Sequence, residues 1–147
     1  MRKKEQDYNM FDWWKKVMID NYANFSGRAR RAEYWYFKLF NAFIVFGLWM
    51  SFLTLVIGYE NRTAGVFILG FIFLYTLATI LPSLAVMARR LHDVNKSGWT
   101  YLIAFVPFGI FVLLYYSVLD GDRRRNDYGE DPKMPLGRND IYKIGIE

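Results

Sequence analysis

Cysteine is absent from this 147-residue chain, and histidine occurs once, at His92. Without thiols there are no disulfides, no thiolate nucleophile and no Cys-ligated zinc or iron–sulfur centre. With one imidazole, a multi-histidine metal or haem site within one chain is excluded. Neither a metal nor a cofactor is expected. Charge is as scarce as sulfur in three long stretches. Residues 36–57, 65–87 and 99–119 hold no Asp, Glu, Lys or Arg apart from Lys38. A soluble helix of such length would show a polar stripe every three to four residues; these runs show none. Each is about the length that crosses a hydrocarbon core, roughly 20 residues at 1.5 Å per residue. The expected fold is an all-α integral membrane protein, a bundle of three transmembrane helices over 36–57, 65–87 and 99–119. An N-terminal amphipathic interfacial helix precedes it and a polar C-terminal tail follows.

Aromatic residues make up 20% of the chain and gather where those spans would end. Tyr34, Trp35 and Tyr36 stand at the first entry, Tyr59 at its exit, Trp99 and Tyr101 at the third entry, and Tyr115 and Tyr116 near its end. Amphipathic rings favour the headgroup level, so this reads as an interfacial belt rather than a ligand box. The first 33 residues contain no apolar core followed by a small-residue cleavage site, so the first span is expected to serve as its own insertion signal.

Residues 1–24 form a basic arm. Phe11, Trp14, Met18 and Tyr22 recur at helical spacing, with Lys16 and Asp20 opposite, the pattern of a helix lying in the interface. A short helix packed on the bundle would show the same spacing. Ser26 is placed to N-cap a new helix carrying Arg28, Arg30, Arg31 and Glu33 into the first span. Lys38 would snorkel back to that interface on its four-carbon stem. Pro82 lacks an N–H, which strips the Ala78 carbonyl of its helical partner, and Thr79 or Ser83 would compensate. Pro107 and Gly109 predict a kink in the third run. Gly47 and Ser51 make a small-xxx-small step suited to helix–helix approach. The tail after Leu119 is rich in Asp, Arg, Asn and Gly and is expected to be only partly ordered.

The densest polar segment runs from Arg89 to Trp99. On a continuing helix, Arg89 and Asp93 are four apart and Arg90 and Asp93 three apart, so either pair would bridge. Ser97 would cap the third run. A guanidinium beside His92 disfavours protonation of the ring.

Three motifs together resemble one family. They are Phe25-Ser26-Gly27-Arg28-Ala29-Arg30-Arg31-Ala32-Glu33-Tyr34-Trp35; the run from Leu81-Pro82 through Arg89-Arg90-Leu91-His92-Asp93 to Ser97-Gly98-Trp99; and Gly121 to Asn126 followed by Tyr128-Gly129-Glu130-Asp131-Pro132. In this order they resemble the DUF805 family of small bacterial inner-membrane proteins. The likeness covers 25–132 as one membrane domain and leaves 1–24 and the polar tail 133–147 outside. It implies a multi-pass protein of the bacterial inner (cytoplasmic) membrane and carries no established activity.

Lysine and arginine number eight before Tyr36, one in 58–64, three in 88–98 and six after Leu119. Three full spans put eleven on the N-terminal side against seven, so the positive-inside rule favours a cytoplasmic N-terminus. A third run folded back at Pro107-Phe108-Gly109 would change the split to seventeen against one, with arms of only about 15 Å each. Three full spans are the reading adopted; the fold-back stays open.

For function, Arg28, Arg30 and Arg31 begin the first span and Arg89 and Arg90 end the second, so both clusters fall at one face. Guanidinium forks there match phosphate geometry. The leading reading is a non-enzymatic protein binding anionic lipid headgroups, or a partner membrane protein or second copy, through these arginines. The plain alternative is that they only fix topology and cap helices. An enzyme would rest on His92 and Asp93, but neighbouring helical residues point about 100° apart, and neither Ser83 nor Ser97 shares the His92 face. Metal-assisted phosphoryl transfer on Asp93, Asp120 and Asp122 is a formal variant. A transporter or channel would need an oligomer, since three spans make too small a bundle, and no span carries an ionisable residue at its middle, where ion pathways usually leave one. Nucleic acid is not expected as a partner, because the basic residues behind a pI of 9.4 flank membrane spans.

Overall fold

The structure is a computed structural model that describes residues 5–133. Of the polar tail 133–147 only Lys133 is among the described residues. The stretch 120–132, expected to be only partly ordered, is instead held by hydrogen bonds at Asp122, Arg124, Asn126 and Gly129. Among the described residues the chain is helical, with one isolated bridge, between Asn126 and Gly129, and no strand. Helix α1 (Met10–Lys15) widens into a π-helical turn over Lys16–Asp20. Helix α2 (Arg31–Leu53) ends in another over Thr54–Gly58, and α3 covers Arg62–Asp93. A 3-10 helix (Gly98–Phe105) and α4 (Gly109–Val118) complete the order. Two compact units divide the described chain, 5–25 with 32–87 and 26–31 with 88–133.

In the first unit α2 and α3 run antiparallel. The Tyr75 hydroxyl meets the Asn41 side chain, while Gly65 lies against Val56 and Phe52. With its π turn, α2 has 28 residues and α3 has 32, about 42 and 48 Å of helix against a core of about 30 Å. Their apolar side chains face outward: Phe43, Phe46, Val66, Phe67 and Phe73 are all well over half exposed. Water would not tolerate an apolar surface of this extent; acyl chains do. Lys38 sits about 5.8 Å from the Tyr34 ring centroid, one turn back toward the helix start, as a snorkelling lysine should.

The arm packs on α2, the second of its two readings. Asn9 and Asp12 exchange side-chain-to-backbone bonds of 2.8 and 3.1 Å, a capping box that starts α1. Trp14 donates its indole N–H to Asn41 at 3.3 Å, and Phe11 and Trp14 meet the Phe40 ring. Trp13 and Val17 are buried, whereas Phe11 is half exposed, so the buried face is rotated from the expected one. Lys16 explains the rotation. Its ammonium bridges the buried Glu33 and Glu5, each at 2.7 Å. Burial alone would lower its pKa, but the Glu33 and Glu5 carboxylates outweigh that and raise it above the ordinary lysine value.

Pro82 frees the Ala78 carbonyl as expected, but the compensating group is different. The Tyr22 hydroxyl donates to the Ala78 oxygen at 2.8 Å, while Thr79 bonds the Thr76 carbonyl. Tyr22→Phe is therefore expected to cost about 1 kcal/mol. In a Pro82→Ala background, where residue 82 regains its N–H, the loss should shrink to a few tenths of a kcal/mol. Thermal unfolding of the four proteins in detergent checks this, and equal losses in both backgrounds would refute the compensation.

The third apolar run is not one helix. Gly98–Phe105 is 3-10, with Ser97 accepting from the Trp99 N–H as its cap, and α4 begins only at Gly109. Between them Val106–Gly109 closes a turn through a Gly109 N–H to Val106 carbonyl bond of 2.9 Å. Pro107 supplies the fixed φ of its second position and Phe108, at φ 65°, the left-handed third position. Sequence reading expected a kink there within a full span; a type II turn stands in its place. Gly109 is required for close approach, because a Cβ would sit 1.7 Å from the Ile103 carbonyl oxygen.

Candidate functional site: an arginine knot on Asp93

The second unit is organised around one carboxylate. Asp93 is the last residue of α3, and the turn after it brings the Val94 N–H and the Lys96 N–H onto the Leu91 carbonyl. Asp93 is 2% exposed and Arg90, one turn earlier, is fully buried. A buried carboxylate needs donors for both oxygens. Oδ1 accepts from Arg28 Nε at 2.9 Å, and Oδ2 accepts from Arg90 Nη1. The expected Arg90–Asp93 bridge is therefore present. The place considered for Arg89 is filled by Arg28 from far earlier in the chain.

Arg28 reaches Asp93 because the segment around it is not helical. Ser26 was expected to cap a helix running through Arg28 and Arg30; α2 starts instead at Arg31. Gly27 adopts φ 79°, and the chain from there to Arg30 has no helical structure. The Ala29 N–H donates to the Arg89 carbonyl at 2.9 Å, pinning this non-helical segment to the end of α3. A helix capped by Ser26 would have turned the Ala29 N–H toward the cap side chain, away from Arg89.

The two guanidinium groups then use their remaining N–H groups on backbone carbonyls. Arg28 donates to Arg124 at 2.8 Å, Gly129 at 3.3 Å and Asp122. Arg90 donates through Nε to Ser117 at 3.2 Å and through Nη2 to Leu119. Arg31 adds a bond of 2.8 Å to Val118 and an ion pair with Asp120. Carbonyls at a helix C-terminus lack intrahelical partners and carry the negative end of its dipole. Here guanidinium groups cap three successive carbonyls, 117 to 119, as α4 ends. Arg30 holds the Pro132 carbonyl at 2.8 Å.

The backbone of 121–129 is fastened from the other side as well. The Asp122 N–H donates to the Asp93 carbonyl, and the Asn126 side chain donates to the His92 carbonyl, each at 2.9 Å. The His92 ring stacks on Tyr128 with centroids 3.9 Å apart and planes within 4°. Its Nδ1 lies 3.0 Å from the Gly27 carbonyl oxygen. A carbonyl only accepts, so Nδ1 carries the proton and Nε2 is the basic nitrogen. Nε2 faces Gly98, where a Cβ would lie 3.3 Å away. His92 thus joins three segments.

The remaining motif residues are structural or lie elsewhere. Glu33 is the buried partner of Lys16, Trp35 is 40% exposed, and Pro82 belongs to α3 beside the Tyr22 bond. Gly98 packs on Ala88, Trp99 is 79% exposed, and Asp131 accepts from the Lys133 N–H. Asp93, Asp120 and Asp122 do not converge: Asp120 faces Arg31 and Lys133, and Asp122 meets Asn126. Among the described residues no three acidic or histidine side chains form a metal-holding group.

This geometry gives the three sequence motifs one physical meaning, since Arg28, Asp93 and the stretch from Asp122 to Gly129 hold one another. The family model for the protein of unknown function DUF805 matches residues 22–130, from the Tyr22 bond to the end of the knot. The chain belongs to the DUF805 family. Inner membrane protein YhaI of Escherichia coli (strain K12) is 44% identical over 122 residues, covering 82% of this chain and 96% of YhaI. Inner membrane protein YhaH of the same strain is 40% identical over 124 residues, covering 84% and 98%. No solved structure matches the chain. With two apolar helices long enough to cross a bilayer and relatives of this kind, the chain is a bacterial inner-membrane protein.

Sequence reading named Gly121, Tyr22 and Tyr128 but missed the close approach of Gly121 to Asp93, the Tyr22 bond to Ala78 and the stacking of Tyr128 on His92. It also placed the forks of Arg28 and Arg90 outward. The one available signal was the presence of family motifs in three distant segments, which contact between those segments explains.

Proposed function

We propose that this DUF805 protein is a non-enzymatic membrane protein that meets anionic phospholipid headgroups at the face carrying the knot. The supporting observation is a division of labour among its arginines. Arg28 and Arg90 are buried and turned to internal partners, whereas Arg123, Arg124 and Arg125 are exposed on backbone that Arg28 fastens. Arg125 keeps only a loose 3.8 Å approach to Glu130. Three consecutive guanidinium groups on a fixed loop suit phosphate oxygens. The headgroup contact moves accordingly, from the cluster of Arg28, Arg30, Arg31, Arg89 and Arg90 to this loop, with half-exposed Arg31 beside it. With the basic residues that precede α2 and follow α3 counted together, the positive-inside rule favours a cytoplasmic side for this face. His92 supports the reading, because its ring is used to hold Tyr128 and Gly27.

Each basic residue near an anionic surface contributes about 1 kcal/mol, so replacing all three should weaken headgroup affinity on the order of 100-fold. The test is retention of phosphatidylglycerol and cardiolipin by native mass spectrometry after gentle extraction. The Arg123→Gln/Arg124→Gln/Arg125→Gln protein should lose retained anionic lipid while its unfolding midpoint stays within a degree or two. Retention equal to the parent would overturn the proposal.

A further inference from the structure

We infer that residues 98–119 form a re-entrant apolar hairpin that enters the acyl chains of one leaflet and leaves on the side it entered. The inference is independent of the headgroup reading. It rests first on where the two ends of the run lie. At its start, Gly98 packs so closely on α3 that an added Cβ would be 3.1 Å from the Ala88 Cβ. At its finish, Arg90 holds the carbonyls of Ser117 and Leu119, and the Asp122 N–H bonds the Asp93 carbonyl at 2.9 Å. Both ends therefore sit at the last two turns of α3. A straight helix over this run would hold them about 30 Å apart.

The arms have matching reach. Eight residues of 3-10 helix rise about 16 Å and ten of α-helix about 15 Å, each half of a 30 Å core. The turn joining them would lie near the bilayer midplane, and its composition suits that depth. Phe105 and Phe108 are 82% and 80% exposed, with Val106 beside them. Backbone at that depth has no water to bond. Val106 and Gly109 donate within the turn, and Pro107 has no N–H to satisfy. The amphipathic rings stand at the other level: Trp99 opens the first arm and Tyr115 and Tyr116 lie in the last turns of the second, where headgroups begin. Charge agrees. With both ends on one side, Lys and Arg outside the apolar runs divide seventeen against one, a far steeper positive-inside bias than eleven against seven.

Two measurements on the full chain in liposomes test this, helped by the absence of native cysteine. Single cysteines at Lys15, Arg62 and Lys133 are labelled with a membrane-impermeant maleimide before and after permeabilisation. Positions 15 and 133 should label from one side and 62 from the other; if 133 labels with 62, the run spans and the inference fails. Spin labels at Leu102, Phe108 and Leu114 then report depth through the ratio of oxygen to nickel-chelate accessibility. The label at 108 should be the deepest, with nickel accessibility reduced at least tenfold relative to Lys133→Cys. A water-accessible label at 108 would put the hairpin outside the bilayer and overturn the inference even if the sidedness held.

Discussion

Replacing Asp93 by alanine is expected to lower the unfolding midpoint in detergent far more than replacing His92. In the parent, two buried guanidinium groups share one buried carboxylate, with side-chain exposures of 1% for Arg28, 0% for Arg90 and 3% for Asp93. Removing the carboxylate leaves both cations without their counter-ion in a desolvated site, which costs about 3–5 kcal/mol. His92→Ala removes a ring stack and one hydrogen bond at a partly exposed position, about 1 kcal/mol. Asp93→Asn should fall between them, since an amide retains one acceptor but no charge. The measurement is thermal or denaturant unfolding of the three variants beside the parent. Equal midpoints for Asp93→Ala and His92→Ala would show that the knot contributes little. Because the Asp93 carboxylate also fixes Arg28, which holds the backbone of 122–129, the Asp93→Ala protein should expose that loop to proteolysis before α2 or α3 is cut.

The elements that were legible in the sequence are those set by hydropathy alone. α2 and α3 follow from uninterrupted apolar runs, and Pro107 marks an interruption of the third run, though as a kink and not as the turn that forms. What stayed hidden depended on partners distant in the chain. Arg28 and Arg90 look like interfacial cations ready for phosphate, and nothing local says that their forks close on carbonyls of residues 117 to 129. Ser26 has the chemistry of a helix cap. The Ala29–Arg89 backbone bond, formed across some sixty intervening residues, holds that stretch in a non-helical path instead. The third run shows the same limit. Its length and apolarity suit a full span, and only the attachment of both its ends to α3 distinguishes a hairpin. Motif order was the better guide: three motifs in separate segments marked the residues that meet, though not their partners.

Gly121→Ala is expected to be nearly as damaging as Asp93→Ala, for a steric reason that the residue type does not reveal. A Cβ at this position would lie 2.0, 2.4 and 2.7 Å from the Asp93 Oδ2, Cγ and Oδ1 atoms. All three distances are far inside van der Waals contact. An ordinary surface side chain would swing aside. This carboxylate is held on one oxygen by Arg28 and on the other by Arg90, so it moves only by giving up charge-assisted bonds. The loop cannot retreat freely either, because the neighbouring Asp122 N–H is bonded to the Asp93 carbonyl. Overpacking of a rigid site costs about 1–3 kcal/mol, and the upper end is expected here. A double-mutant cycle isolates the cause. Once Asp93→Ala has removed the carboxylate, the new methyl has room, and adding Gly121→Ala should cost less than about 0.5 kcal/mol, the range for independent sites. A coupling of more than 1.5 kcal/mol between the two changes is thus the expected result. Additive losses would mean that Gly121 is required for its backbone alone, and that its approach to Asp93 does not limit stability.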